Sequence, residues 1–313
     1  VNRSAALPPL LITPGDPQGI GPEVAVKAAQ ALGCPAVLVG DVDALRRWDA
    51  QLPVVDVLAP VSTLSILPPP QGEPVEVAAI RLAAQACLSG QARAMVTGPI
   101  HKARLAARGF AYSGHTDFLG ALCKADPMMA FVGEGLRVGL VTTHIPLSQV
   151  PGAIRAERLK RCLQLCDRGL ADLGLSRRRI AVAGVNPHAG EDGLLGSEEQ
   201  DVVAPVCREM AAQGLDLVGP IAAEIAFTQL RKGEVDMLLA MYHDQGLAPL
   251  KIVAFGKLVN WSLGLPIVRT SVDHGTADDI AGQGIADPAS MVAAIQLASE
   301  LTVVSTSTRP QGA

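Results

Sequence analysis

Short apolar runs recur along this chain, and each stops abruptly at polar or turn-forming residues. "PLLIT" gives way to Pro14, Gly15 and Asp16, "PAVLVGD" ends at Asp41, and "ARAMVTGP" ends at Thr97, Gly98 and Pro99. "LRVGLVTTH" stops at His144, "RRIAVAGVNPH" at His188, "VDMLLAMYHD" at His243 and "LPIVRTSVDHG" at His274. Between them lie helix-forming stretches such as "PEVAVKAAQAL", "EPVEVAAIRLAAQACLSG" and "ERLKRCLQLCDRGLADLG". A strand with one wet face alternates apolar and polar residues. These runs are nearly continuously apolar, so both of their faces must be covered. Covered strands alternating with helices predict an α/β protein on a mainly parallel sheet.

A chain of 313 residues is long enough for about two such domains. Hydrophobic residues make up 49% of it and aromatics only 3%, so the core must be built from Ala, Leu, Val and Ile. The net charge of -4, without a long basic run, argues against nucleic acid as a partner. "VNRSAALPPL" has no signal-peptide core, and no apolar run reaches the roughly 18–20 residues of a membrane helix. A cytoplasmic protein with no membrane partner is expected. The six cysteines form no C-x-x-C, and Cys162 and Cys166 have no evident further ligands, so all read as reduced thiols. "LPPPQGEP" (67–74) reads as a surface loop, and the tail "STSTRPQGA" as frayed.

Ligands of open α/β sheets bind outside the carboxyl ends of the strands. Four of the six histidines (His144, His188, His243, His274) follow such ends here, which points to a site. Three neutral imidazoles, His144, His188 and His243, would suit a divalent transition metal with positions left open for substrate. Three separately hydrogen-bonded histidines would give the same spacing. No H-E-x-x-H occurs, so a metalloprotease is not indicated. "TPGDPQGIGPEVAVKAA" (13–29) is a glycine-rich turn between strand and helix, with Gly21 at the cap and Pro22 first in the helix. It is neither a P-loop nor a G-x-G-x-x-G fingerprint, and it reads equally as a functional or a structural turn.

In "SVDHGTADDIAGQGIADP" (271–288), Gly275, Gly282 and Gly284 would let backbone approach a flat or anionic ligand. Asp279 or Asp278 would accept hydrogen bonds from a ribose diol and disfavour a 2′-phosphate, hence NAD rather than NADP. A polar loop with Asp caps is the plainer alternative. Lys251, Asn260 and Arg269 fall in a notably apolar stretch, where unpaired charge is costly. Two cations and an amide suit a phosphate or carboxylate.

"GDPQGIGPE", "TGPIHK", "SGHTDFL", "NPHAGEDGLLG", "MYHDQGLAPLK" and "GLPIVRTSVDHGTADDIAGQG" together resemble the 4-hydroxythreonine-4-phosphate dehydrogenase family of pyridoxal phosphate biosynthesis, across nearly the whole chain. The resemblance implies two α/β/α subdomains with a central cleft, as in isocitrate and isopropylmalate dehydrogenases. On it, residues 1–125 with 266–313 form the cofactor side, and 126–265 the metal and dimerisation side. It implies a homodimer with shared active sites and a small phosphorylated substrate. The family's metal ligands fall on His144, His188 and His243, favouring Zn²⁺ with Mg²⁺, Mn²⁺ and Co²⁺ open. Its substrate positions fall on His115, Thr116, Lys251, Asn260 and Arg269. The loop His274, Gly275, Thr276, Ala277 through Asp287 is similar to an adenosine-binding loop, with Asp279 on the ribose and Asp287 near the adenine. The implied chemistry is NAD-dependent oxidation of 4-phosphohydroxy-L-threonine to a 3-oxo acid, which decarboxylates to 3-amino-2-oxopropyl phosphate. Lys102 and Asp244 are the first candidates for the proton acceptor, and Asp244 would also orient His243.

One departure stands out. The family reads Gly-Pro-x-Pro-Ala-Asp-Thr where this chain has "GPIAAEIAF", with Ala222, Glu224 and Ile225 in place of Pro, Asp and Thr. If Glu224 faces the substrate, its non-phosphate end would be read differently. D-threonate or D-erythronate 4-phosphate is therefore the alternative substrate. A phosphate-binding protein on the same fold is the non-enzymatic alternative.

Overall fold

The computed structural model describes residues 7–308. The chain divides into two compact units: one takes in the chain up to Pro127 and again from Val259, the other is Met128–Leu258. The first unit begins with β1 (Leu10–Thr13), α1 (Gly21–Ala31), β2 (Ala36–Val39), α2 (Val42–Arg46) and β3 (Ser65–Leu67). It continues with α3 (Val75–Leu88), β4 (Ala94–Thr97), α4 (Lys102–Ala107) and α5 (His115–Cys123). The second unit holds β5 (Met128–Gly133), β6 (Leu136–Leu140), α6 (Val150–Ala153), α7 (Ala156–Asp172) and β7 (Ile180–Ala183). Then come α8 (Ala204–Ala212), β8 (Leu217–Ile221), α9 (Ala223–Arg231), β9 (Met237–Ala240) and α10 (His243–Ala254). The chain returns to the first unit with β10 (Val259–Leu263), β11 (Arg269–Val272) and α11 (Ala289–Thr308).

In the first unit the strand order is β3-β2-β1-β4-β11-β10. All its pairings are parallel except β10 with β11. Because β10 pairs with β11, the second crossing between units comes at 258/259, ahead of the 265/266 boundary drawn from sequence. In the second unit the order is β5-β6-β9-β7-β8, parallel except for the hairpin β5–β6. That hairpin turns through Glu134 (φ 49°) and Gly135 (φ 77°), the positive-φ pair that a tight two-residue turn requires.

Every residue of β1, β2, β4, β7, β9 and β11 is buried, as double-sided cover demands. The first unit's core sets Leu11, Val37 and Met95 against Ile80, Ala83 and Ala84 of α3 and Phe118 and Leu119 of α5. The second sets Val138, Leu140, Leu238 and Ala240 against Ala226, Leu230, Leu247 and Leu250. Both are the small, aliphatic cores that the composition requires. No described helix is long and apolar enough to cross a membrane. None of the six cysteines is joined in a disulfide among the described residues. The tail reading needs one correction: α11 runs on through Thr308, while residues 309–313 lie outside the described residues.

Candidate active site

In the first unit, parallel β1, β4 and β11 deliver the loops beginning at Pro14, Gly98 and Asp273 to one edge of the sheet. The order around β1 reverses there, with β2 on one side and β4 on the other, the place where such sheets take ligands. The glycine-rich turn after β1 is packed backbone to backbone. A Cβ on Gly15 would lie 2.0 Å from the Pro99 carbonyl oxygen, one on Gly21 1.9 Å from that of Pro14, and one on Gly98 2.1 Å from that of Pro14. Gly19 meets Thr276, where a Cβ would stand 2.8 Å from the threonine's own Cβ, and the Ile20 amide donates to the Thr276 carbonyl at 2.9 Å. The turn therefore supports the 274–287 loop. Its cap lies one residue earlier than Gly21: α1 starts at Gly21 with Ile20 as N-cap, and Pro22 is in the first turn.

Arg269, first residue of β11, is 2% exposed. Its Nε and one terminal nitrogen donate to Thr97 Oγ1 at 3.1 and 2.6 Å, and the other terminal nitrogen donates to Ser262 Oγ at 3.0 Å. Among the described residues no carboxylate faces this guanidinium. Burial alone pulls its pKa down to about 9, which leaves it cationic at neutral pH. His115 opens α5, and its Nε2 is buried with no hydrogen-bond partner among the described residues. Burial, then the Arg269 and Lys102 charges, hold its pKa well below the ordinary histidine value. The Lys102 ammonium lies close by: a Cβ at Gly114 would stand 3.8 Å from its Nζ. Asn260 sits two residues from Ser262 and so on the same face of β10; its Oδ1 is likewise buried and unpartnered. Thr116 follows His115 in the first turn of α5. The result is a buried cation, a neutral imidazole and an amide with hydrogen-bonding capacity that no described residue uses.

In the loop after β11, His274 Nδ1 lies 2.9 Å from the Gly275 carbonyl, and its Nε2 is buried without a partner. Open space lies over Gly275 and Gly282, and Ala277 takes a positive φ of 44°. Asp278 and Asp279 separate clearly. Asp278 is gripped by Arg104 through two bonds of 2.9 and 3.0 Å, whereas Asp279 is exposed, and among the described residues its carboxylate has no hydrogen bond or ion pair. Asp287 Oδ1 accepts from the Ala289 amide at 2.9 Å, at the entry to α11.

In the second unit, β9 lies between β6 and β7, so the segments carrying His144, His243 and His188 leave neighbouring strands at one edge. The His144 and His243 rings are 5.5 Å apart between centroids, inclined at 44°. His243 starts α10, and its Nδ1 lies 2.7 Å from Asp244 Oδ1. Gln245 ties the edge together: its Oε1 accepts from the Met241 amide and its Nε2 donates to the Gly184 carbonyl, both at 2.7 Å. His, Asp and Gln end this strand because each has an assignment there, two side by side and one across to β7. His188 begins a left-handed run, His188 to Asp192, wound around the buried carboxylate of Glu199. It is largely exposed, with Nδ1 3.8 Å from Glu191 Oε2. The structure thus pairs His144 with His243 and carries His188 on the left-handed run after β7. Among the described residues no group of three His, Cys, Asp or Glu is placed to hold a metal. Lys251 lies in α10, partly exposed, and Glu224 lies exposed in the first turn of α9 beside Ile225.

The sequence model of the family described as pyridoxal phosphate biosynthetic protein PdxA matches residues 22–298. The chain belongs to the PdxA family. A PdxA-family relative from Xanthomonas campestris pv. campestris (strain 8004), a 4-hydroxythreonine-4-phosphate dehydrogenase, is 42% identical over 318 residues, covering 94% of this chain and 98% of the relative. The solved structure of 4-hydroxythreonine-4-phosphate dehydrogenase from Klebsiella pneumoniae superposes with a TM-score of 0.86 at 39% identity, covering 96% of this chain and 99% of that one. Isocitrate dehydrogenase from Methylococcus capsulatus superposes at 0.52 with 18% identity, covering 93% of this chain and 84% of that one, a likeness of fold alone. The fold is that of the PdxA and isocitrate dehydrogenase-like proteins.

Three groups at the candidate site carry little mark in the sequence. Thr97 reads as an ordinary strand end, Ser262 lies inside an apolar strand, and Arg104 finds its partners far away in the chain. For Thr97 one signal was present: it precedes Gly98-Pro99 at the same kind of strand end as the histidines.

Proposed function

We propose that this chain is a 4-hydroxythreonine-4-phosphate dehydrogenase, oxidising 4-phosphohydroxy-L-threonine with NAD⁺ and a divalent metal on the route to pyridoxal phosphate. The observation that carries the reading is Arg269: a buried cation that meets only hydroxyls, next to a neutral His115 with an unpartnered nitrogen. A buried charge without a counter-ion is costly, and a substrate phosphate removes that cost. In this reading Arg269, Asn260, His115, Thr116 and Lys251 hold the phosphorylated substrate, and Glu224 meets its other end.

The donor chemistry of the second unit fits a divalent transition ion. Two imidazoles lie together, and a carboxylate holds one of them at Nδ1, the usual arrangement behind a metal-binding histidine. We assign His144, His188 and His243 as ligands, with one of the three supplied by a second copy of the chain in a homodimer. Zn²⁺ suits this set best, and Mg²⁺, Mn²⁺ or Co²⁺ would also serve. Bound there, such an ion lowers the pKa of the substrate's hydroxyl and polarises the carbonyl that forms.

The 274–287 loop is assigned to NAD⁺, which accepts the hydride. Open space over Gly275 and Gly282, the unpartnered His274 Nε2 and the exposed Asp279 carboxylate support this. His274, Gly275, Thr276 and Ala277 line the dinucleotide, Asp279 accepts from its ribose, and Asp287 lies towards the adenine. Asp244, or Lys102 as a neutral amine, is the group proposed to take the hydroxyl proton. The resulting ketone is β to the carboxylate, so breaking the bond to the carboxylate releases carbon dioxide and leaves its electron pair in an enolate, whose carbon takes up a proton to give 3-amino-2-oxopropyl phosphate. Holding the phosphate fixes the orientation in which both steps occur.

The test is NAD⁺ reduction at 340 nm by the metal-supplied protein with 4-phosphohydroxy-L-threonine, with D-threonate and D-erythronate 4-phosphates in parallel and a chelator control. Chelator-sensitive turnover of the amino acid phosphate supports the reading. Turnover of the sugar acids alone would move the substrate to the alternative that Glu224 and Ile225 raise. Absence of turnover with all three would overturn the dehydrogenase assignment.

A further inference from the structure

Arg104 lies on α4 and is itself assigned to neither substrate nor dinucleotide, yet it joins its own helix to two segments distant in the chain. Its Nε donates to Asp16 Oδ2 at 2.8 Å, and its two terminal nitrogens donate to Asp278 Oδ2 and Oδ1 at 2.9 and 3.0 Å. Asp16 is 2% exposed and belongs to the turn after β1. That turn is itself fixed, because the Asp16 amide donates to the Pro99 carbonyl and Asp16 Oδ1 accepts from the Gln18 amide, both at 2.9 Å. Asp278 belongs to the loop after β11. One planar guanidinium therefore couples a rigid, buried turn to a loop whose own Ala277 adopts a positive φ. A bidentate guanidinium–carboxylate pair fixes direction as well as distance, which a lysine's point charge does not.

The two neighbouring aspartates make the arrangement informative. Asp278 is held by Arg104, and its carboxyl sits below its ordinary pKa because of Arg104 first and Thr276 second. Asp279 remains exposed and uncommitted. Were both free, two adjacent carboxylates would stand where an anionic dinucleotide has to approach, and the loop would have two competing acceptors for one ribose. The opposite end of the loop has an equivalent anchor. Buried Glu23 accepts from the Ala286 amide at 2.9 Å, and Lys27 donates to the Gly284 carbonyl at 2.8 Å. Residues 279–283 thus span two pinned ends.

We infer that Arg104 is a positioning residue for the dinucleotide loop: by clamping Asp278 to the Asp16 turn, it fixes the loop so that Asp279 alone is offered to the cofactor. This rests on the assignment of the 274–287 loop to NAD⁺. The role is to set dinucleotide affinity rather than the chemical step.

The experiment measures NADH binding to the metal-supplied protein by fluorescence, with steady-state KM for NAD⁺ and kcat alongside. The wild type is compared with Arg104→Ala, Arg104→Lys, Asp278→Ala and the double variant Arg104→Ala/Asp278→Ala. Loss of a bidentate, charge-assisted pair should weaken NADH binding about tenfold or more in Arg104→Ala, with kcat at saturating NAD⁺ within about twofold. Arg104→Lys should recover only part of the affinity. The double variant should bind no more weakly than Arg104→Ala, because both changes break the same Arg104–Asp278 pair. Asp278 is on an exposed loop, so Asp278→Ala carries the test should Arg104→Ala fail to fold, and it should weaken binding too. Unchanged NADH affinity in both single variants, additive losses in the double, or a fall in kcat with unchanged KM for NAD⁺ would overturn the inference. A wild type that binds no NADH would instead overturn the assignment of the loop, a result separable from all of these.

Discussion

Arg269 and His115 show how a side chain's surroundings decide its charge. A guanidinium keeps its proton even under burial, so Arg269 stays a cation among hydroxyls. An imidazole does not, and His115 is held neutral by burial and by the Arg269 and Lys102 charges. The sign of the stability effect follows. The unfolded chain protonates this histidine near its ordinary pKa of 6.5, while the folded chain refuses the proton until well below it. Stability from this residue is therefore fully present above about 6.5 and is lost as pH falls through the window beneath. Urea unfolding in a phosphate-free buffer at pH 7.5 and 5.0 should show part of the wild-type loss at pH 5.0 absent from His115→Gln. Equal acid losses in the two proteins would mean that His115 is not held neutral.

Loops around buried carboxylates are the recurrent device among the elements. Glu199 is 4% exposed. It accepts from the Val185 and Asn186 amides at 2.6 and 2.8 Å and from Asn186 Nδ2 at 3.0 Å, while the left-handed run from His188 wraps past it. Glu199→Ala would leave two partly buried amides without acceptors, costing roughly 1–3 kcal/mol for each that water cannot reach. The expected outcome is a lower melting temperature and weaker metal retention with NADH affinity unchanged. A parallel loss of NADH affinity would show that the effect is not confined to the His188 loop. Such devices explain which parts were legible in the sequence. β1, β4, β7 and β9 announce themselves because a doubly covered strand must be continuously apolar. β8 is hidden because Gly219 and Pro220 interrupt it and its residues are only partly buried, and β3 because it is three residues long. His144 and His243 are visible as polar residues at strand ends. Arg104 is invisible because its partners lie 88 and 174 residues away, beyond any local pattern. The spacing that offered His144, His188 and His243 as one set could not anticipate the left-handed run on which His188 lies.

At the scale of the whole molecule, the arithmetic of metal ligands bears on assembly. One chain pairs two imidazoles, and the proposed metal needs a third ligand. If that ligand comes from a second copy, neither chain alone makes a working site, and mutations in different ligands can complement each other. His188→Ala and His243→Ala should each be inactive as a pure protein. Co-expressed with different affinity tags and purified through both, the mixed dimer retains one site with all three histidines, whichever of the two comes from the partner. The expected turnover is about half that of a wild-type dimer, since one of its two sites is intact. Sedimentation of the wild type should show a dimer at the assay concentration. If the mixed dimer is as inactive as its parents while each binds NADH normally, His188 and His243 of a site come from the same chain. His188 would then have to swing towards His144 and His243 within that chain, and the left-handed run around Glu199 would be the segment that moves.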